Sequence, residues 1–95
     1  MAVRMDSSSS PHAARTARLG RVVRARRKTL KLTQIDLSQL AGCGPDFVYD
    51  VEAGKPSLRL DKLLDLLAVL GLELVVAQGK SVLRVAAELE PQTSG

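Results

Sequence analysis

The sequence predicts a small, mainly α domain of four to five helices with one β-strand on its C-terminal side. Three observations carry this expectation. Hydrophobic residues make up 45% of the chain, yet there is one Phe, one Tyr and no Trp, so the core must be aliphatic, and leucine-rich chains favour packed helices over sandwiches. Apolar residues recur at i, i+3, i+4 in segments separated by glycine or proline. One β-branched run, Leu72-Glu73-Leu74-Val75-Val76-Ala77, is bounded so tightly by Gly71 and Gly79 that it reads as a strand. The 95 residues leave room for one small domain. A core of that size gives net stability on the order of a few kcal/mol, so dimerisation is expected.

The elements follow in order. Residues 1–14 read as a disordered tail, with Ser7-Ser8-Ser9-Ser10-Pro11 as a linker-like run. Ser10-Pro11 and Thr16 are both able to start a helix, and the expected one runs from about Thr16 to Thr29 with Leu19, Val22 and Val23 facing inward. Thr33 caps the second helix, Thr33-x-x-Asp36 being a capping-box variant. That helix reaches about Leu40, with Ile35, Leu37, Leu40 and Ala41 as its apolar set. Gly42 supplies a positive-φ turn, and Pro45 suits the first position of a third helix that runs to about Ala53 with Phe47, Val48 and Val51 inward. Gly54 ends it as a left-handed cap. The fourth helix opens at Leu58 or Leu60 and lasts to Leu70, with Leu60, Leu63, Leu64, Leu67 and Leu70 as its core stripe. The helical domain thus spans residues 15–71, the strand 72–78, and a partly ordered or disordered tail 79–95. A lone strand leaves backbone groups unpaired, so it needs either residues Ser81 to Val85 folding back or the same strand of a second protomer.

Charge is unevenly spread. Residues 1–31 carry nine basic side chains (Arg4, Arg15, Arg18, Arg21, Arg24, Arg26, Arg27, Lys28, Lys31) and Asp6, a net +8, whereas residues 32–95 carry five basic and nine acidic groups, a net −4. A basic flank on an acidic remainder suits a polyanion. The single cysteine, Cys43, excludes an internal disulfide, and His12 is the lone histidine, so no metal motif is present. There is no nucleophile–base pair and no glycine-rich phosphate loop; no enzyme and no cofactor are expected. No apolar stretch approaches the roughly 20 residues of a membrane span, and no secretory signal is evident. The expected location is the cytoplasm, in association with the nucleoid.

The stretch Leu19-Gly20-Arg21-Val22-Val23-Arg24-Ala25-Arg26-Arg27-Lys28, then Leu32-Thr33-Gln34, Leu37, Leu40-Ala41-Gly42, Val48, Val51-Glu52, Gly54-Lys55 and Leu60 to Gly71 resembles the Cro/repressor (XRE) type of helix-turn-helix domain over about residues 17–72. Within that group, the strand Leu72 to Val76 directly after the fourth helix looks like the HipB-like antitoxins, in which it pairs with its symmetry mate. The resemblance implies a dimer sealed by Leu72, Leu74, Val75 and Val76, bound to a palindromic DNA operator with half-sites about one helical turn apart.

It also implies roles for named residues. The second and third helices would dock on double-stranded DNA, with Thr33, Gln34, Gly44 and Lys55 at phosphates and Pro45, Asp46, Phe47, Tyr49 and Asp50 toward bases. Gln34 sits at a helix N-terminus, where an amide and free N–H groups can hold a phosphate. Arg27 and Glu52 match the family's structural ion pair. Lys31 stands where relatives often have glycine and is expected to be left-handed; Cys43 matches an apolar core position. The reading helix departs from the usual pattern, because Asp46 and Asp50 repel phosphate unless they accept from a base such as cytosine. Affinity is then expected from Gln34, Lys55 and the basic flank.

The leading functional expectation is a dimeric repressor that is also the antitoxin of a HipA-like kinase toxin. A stand-alone phage- or restriction-type repressor is the second reading. A protein-interaction module that has lost DNA binding, suggested by Asp46 and Asp50, is the third.

Overall fold

The computed structural model describes residues 11–80 and 82–90. Four α-helices, α1 (Pro11–Thr29), α2 (Gln34–Ala41), α3 (Pro45–Glu52) and α4 (Leu60–Val69), are followed by a short 3₁₀ turn, Ala87–Leu89. The expectations for residues 1–10, Ser81 and residues 91–95 lie outside the described residues.

Helix α1 starts earlier than Thr16. Proline at the first helical position needs no N–H partner, and the alanine- and arginine-containing turn that follows propagates readily. Thr16 is thereby inside the helix, where its hydroxyl donates to the Gly54 carbonyl (2.7 Å). Arg26, Arg27 and Lys28 in the last turn complement the helix dipole. Lys31 then takes φ +61, the only non-glycine residue with positive φ among the described residues.

Thr33 caps α2 reciprocally: Asp36 N–H donates to Thr33 Oγ1 and Thr33 N–H to Asp36 Oδ2, both at 2.9 Å. These donors hold the Asp36 carboxyl below its ordinary range. Gly42 (φ +71) ends α2, and Pro45 opens α3 behind an extended Gly44. The buried side of α2 differs from expectation. Leu37 and Ser38 face the core, whereas Ile35 and Leu40 are 45% and 62% exposed. At about 100° per residue, Leu37, Ser38 and Ala41 share one arc of the helix, which leaves Ile35 and Leu40 outside it. Ser38 is tolerated inside because its hydroxyl donates to Ile35 O (2.7 Å).

The core joins Val23 of α1, Leu37 of α2, Val48 and Val51 of α3, and Leu63, Leu66, Leu67 and Leu70 at α4. Leu66 replaces Leu60 and Leu64 of the expected stripe, which stay 60% and 45% exposed. Leucines on both flanks of α4 hide the phase of its buried face. Helices α1 and α3 approach closely: a Cβ on Gly20 would lie 2.5 Å from Val51 O and 2.8 Å from Glu52 O, a separation only glycine permits.

Beyond Gly71 no strand is present among the described residues of the single chain. Leu72 to Ala77 carries no regular structure, and residues 82–85 do not fold back as a hairpin partner. Within one chain the segment has no ladder to join. Leu72 packs against the core, while Leu74 and Val75 are exposed and Val76 is wholly so. The chain then returns to α1, where Arg18 Nη1 donates to Glu90 Oε1 (2.8 Å). Among the described residues no helix is long and apolar enough to cross a membrane, and no cluster of His, Cys, Asp or Glu could hold a metal ion.

Candidate nucleic-acid interface

Glu52, the last residue of α3, is the hub of three helices. Arg27 grips it with both branches of its guanidinium, Nε to Oε2 at 2.6 Å and Nη2 to Oε1 at 3.0 Å, and its third nitrogen donates to Leu32 O (2.9 Å). The two side chains are 10% and 5% exposed. The Glu52 hydrogen bond raises the Arg27 pKa further above its ordinary value, against a smaller opposing effect of burial. Gln34 joins this node: its Nε2 donates to Glu52 Oε1 (3.1 Å). One amide hydrogen of the expected phosphate holder is therefore already committed within the protein, and a primary amide retains a second.

Helix α3 buries Val48 and Val51 and turns the opposite side out. Pro45, Asp46 and Tyr49 are exposed there and Asp50 is half-exposed, at positions that share one face by helical spacing. Gly44 offers bare backbone at the helix start, with open space where a side chain would stand. Phe47, expected as a base contact, instead packs against the core and shows only part of its ring. Cys43 is half-buried and packs there too; burial pushes its thiol pKa up, with the Lys62 charge opposing.

The acidity of α3 is largely compensated. Arg27 neutralises Glu52, and Lys55 Nζ stands 3.5 Å from Asp50 Oδ2 in an exposed pair. Asp46 has no such cation among the described residues. Phe47, Asp50 and Lys55 then form one open cleft with Ser57, Leu58, Arg59 and Lys62. The cleft adds two cations that sequence reasoning missed. A signal existed: three of the five basic residues after position 31 fall between 55 and 62. Arg59 forks onto Asp61 (Nη2 to Oδ2 2.6 Å, Nε to Oδ1 3.1 Å), which holds the Asp61 carboxyl below its ordinary range. Both side chains are 65% exposed, so this pair is open to exchange.

The arginines of the basic flank divide. Arg27 is buried in the hub, and Arg26 donates to Leu70 O (2.8 Å). Arg18, Arg21, Arg24 and Lys28 remain exposed on α1.

A helix-turn-helix domain family matches residues 18–78, from the second turn of α1 to past α4. The chain belongs to the helix-turn-helix family of transcriptional regulators. It is 40% identical over 65 residues to the uncharacterized HTH-type transcriptional regulator y4mF of Sinorhizobium fredii (strain NBRC 101917 / NGR234), covering 67% of this chain and 86% of that one. In this helix-turn-helix, α2 and α3 are the paired helices, Gly42-Cys43-Gly44 is the turn, and the hub at Glu52 ties both to α1. It is a DNA-binding regulator.

Proposed function

We propose that this helix-turn-helix protein is a dimeric transcriptional repressor that reads a palindromic operator with α3. Pro45, Asp46, Tyr49 and Asp50 face the base edges, with Phe47 contributing the free side of its ring. Gly44, the start of α2 at Thr33 and Gln34, and the cleft cations Lys55, Arg59 and Lys62 hold the phosphates. Arg59 and Lys55 exchange their carboxylate partners for phosphate on binding, and Asp50 is released to accept from a base.

The observation that carries the dimer is the arm after Gly71, where Leu74, Val75 and Val76 stand exposed with no backbone–backbone hydrogen bond among the described residues. A symmetric second copy supplies the missing ladder as a two-stranded antiparallel ribbon with Leu72, Leu74, Val75 and Val76 from each chain. This arm, placed directly after the fourth helix, also supports the finer reading: an antitoxin that neutralises a HipA-like kinase toxin by occupying it and represses their shared operon in the cytoplasm. A stand-alone repressor shares every DNA contact and differs only in having no toxin partner.

Analytical ultracentrifugation at micromolar concentration is expected to give a dimer, and removal of the segment from Leu72 onward a monomer with weaker operator binding. A monomeric full chain contradicts the ribbon. Co-purification with the product of the adjacent gene is expected for the antitoxin; a neighbour with no kinase-like sequence and no co-purification leaves the stand-alone repressor.

A further inference from the structure

The end of α4 is closed partly by another helix. Gly71 N–H donates to Ala68 O (3.1 Å) and Leu72 N–H to Leu67 O (2.8 Å), with Gly71 at φ +72. The carbonyl of Leu70, a residue 1% exposed, takes its hydrogen bond from Arg26 Nε on α1 at 2.8 Å. A Cβ on Gly71 would lie 3.4 Å from Arg26 Nη2, so the guanidinium lies against the turn itself. A cation at a helix C-terminus is favoured by the helix dipole, and a buried carbonyl left without a donor is costly. Leu72 follows with its side chain against the core, and from Glu73 the arm is exposed.

We propose that Arg26 is a positioning residue for dimerisation: it clamps the Leu70–Gly71 turn and so sets the direction in which the Leu72–Val76 arm leaves the domain. The inference rests on the dimeric reading above. A ribbon is sensitive to this direction because slipping one residue moves every side chain to the other face. An arm that swivels at Gly71 samples wrong registers and must be ordered when it pairs. Arg26 therefore acts through the protein, whereas Arg24, two residues earlier on α1, is exposed with no ion-pair partner among the described residues. The two arginines carry the same charge in different roles.

The test compares full-length R26Q, R26K, R24Q and the native chain by sedimentation equilibrium, at a temperature where all keep native helical circular dichroism. Amide hydrogen exchange at Gly71 and Leu72 is read in parallel. R26Q is expected to weaken the dimer about tenfold, the loss of one charge-assisted hydrogen bond, and to speed exchange at both amides. R24Q is expected to change neither, and R26K to recover part of both because its ammonium still reaches the carbonyl. G71A, which strains the same turn through its positive φ, is expected to reproduce R26Q and replaces it if R26Q does not fold. Equal dissociation constants for R26Q and native dimers overturn the proposal, as does R24Q weakening the dimer as much as R26Q. A native chain that is monomeric overturns it together with the dimeric reading, an outcome visible before any variant is compared.

Discussion

Two ion pairs in this molecule share a shortest distance of 2.6 Å and differ in everything around it. Arg27–Glu52 lies between α1 and α3 with both side chains nearly closed to water; Arg59–Asp61 stands at the start of α4 with both 65% exposed. The first removes two charges from solvent and repays that only through its bidentate geometry and the added bonds from Gln34 and to Leu32. The second is bathed in water, where an ion pair contributes little to stability and its partners remain free to exchange. Length does not separate a scaffold contact from an available one. Burial and the number of further partners do.

The largest effect is expected at the hub. Glu52→Ala leaves Arg27 buried without a counter-ion and is expected to cost about 3–5 kcal/mol, seen as a large fall in Tm. An unchanged Tm would remove Glu52 from the scaffold. Next is Gly20→Ala on the same seam. Its new methyl collides with the Val51 carbonyl, and overpacking of that kind costs about 1–3 kcal/mol. Thermal melting should show the loss, and operator preference, measured on the folded fraction, should stay the same. At the exposed end the expected effects move from stability to binding. Arg59→Gln with Lys62→Gln should leave Tm unchanged. The double variant should weaken DNA binding and reduce the slope of log affinity against log salt by about 0.9 for each phosphate that is no longer neutralised. A fall in Tm with an unchanged slope would make those cations structural.

The smallest expected effect concerns the cap of α2. The folded-state pKa of Asp36 is lowered by the Thr33 backbone and hydroxyl donors. Its contribution is therefore present above the ordinary carboxylate range and fades as pH falls through the lowered value. Asp36→Asn should flatten that part of the acid limb in pH-dependent melting, while an unchanged limb would show that the capping carboxylate is not what titrates.

Much of the fold was legible because it is written in local chemistry. The left-handed Lys31, the Thr33–Asp36 box, the Gly42 and Gly54 caps and Pro45 at the start of α3 each follow from the conformational range of one or two residues. Tertiary choices were less visible. Leucines on both sides of α4 concealed that Leu66, rather than Leu60 or Leu64, faces the core. Nothing local in Gln34 or Arg26 shows that their polar ends turn toward Glu52 and Leu70, residues 18 and 44 positions away in sequence. The expected base-facing positions of α3 come from family register alone, and Arg59 and Lys62 beside them were missed because one lies in a loop and the other on a helix read only for its leucines.

The proposed dimer reads DNA through an acidic helix with phosphate-holding cations beside it. Footprinting of the protein on its own promoter tests this most directly. Protection of two symmetric half-sites, centred about one helical turn or a small multiple apart, and lost together when the segment from Leu72 is removed, is the predicted result. Absence of protection on any promoter fragment at low salt would contradict it.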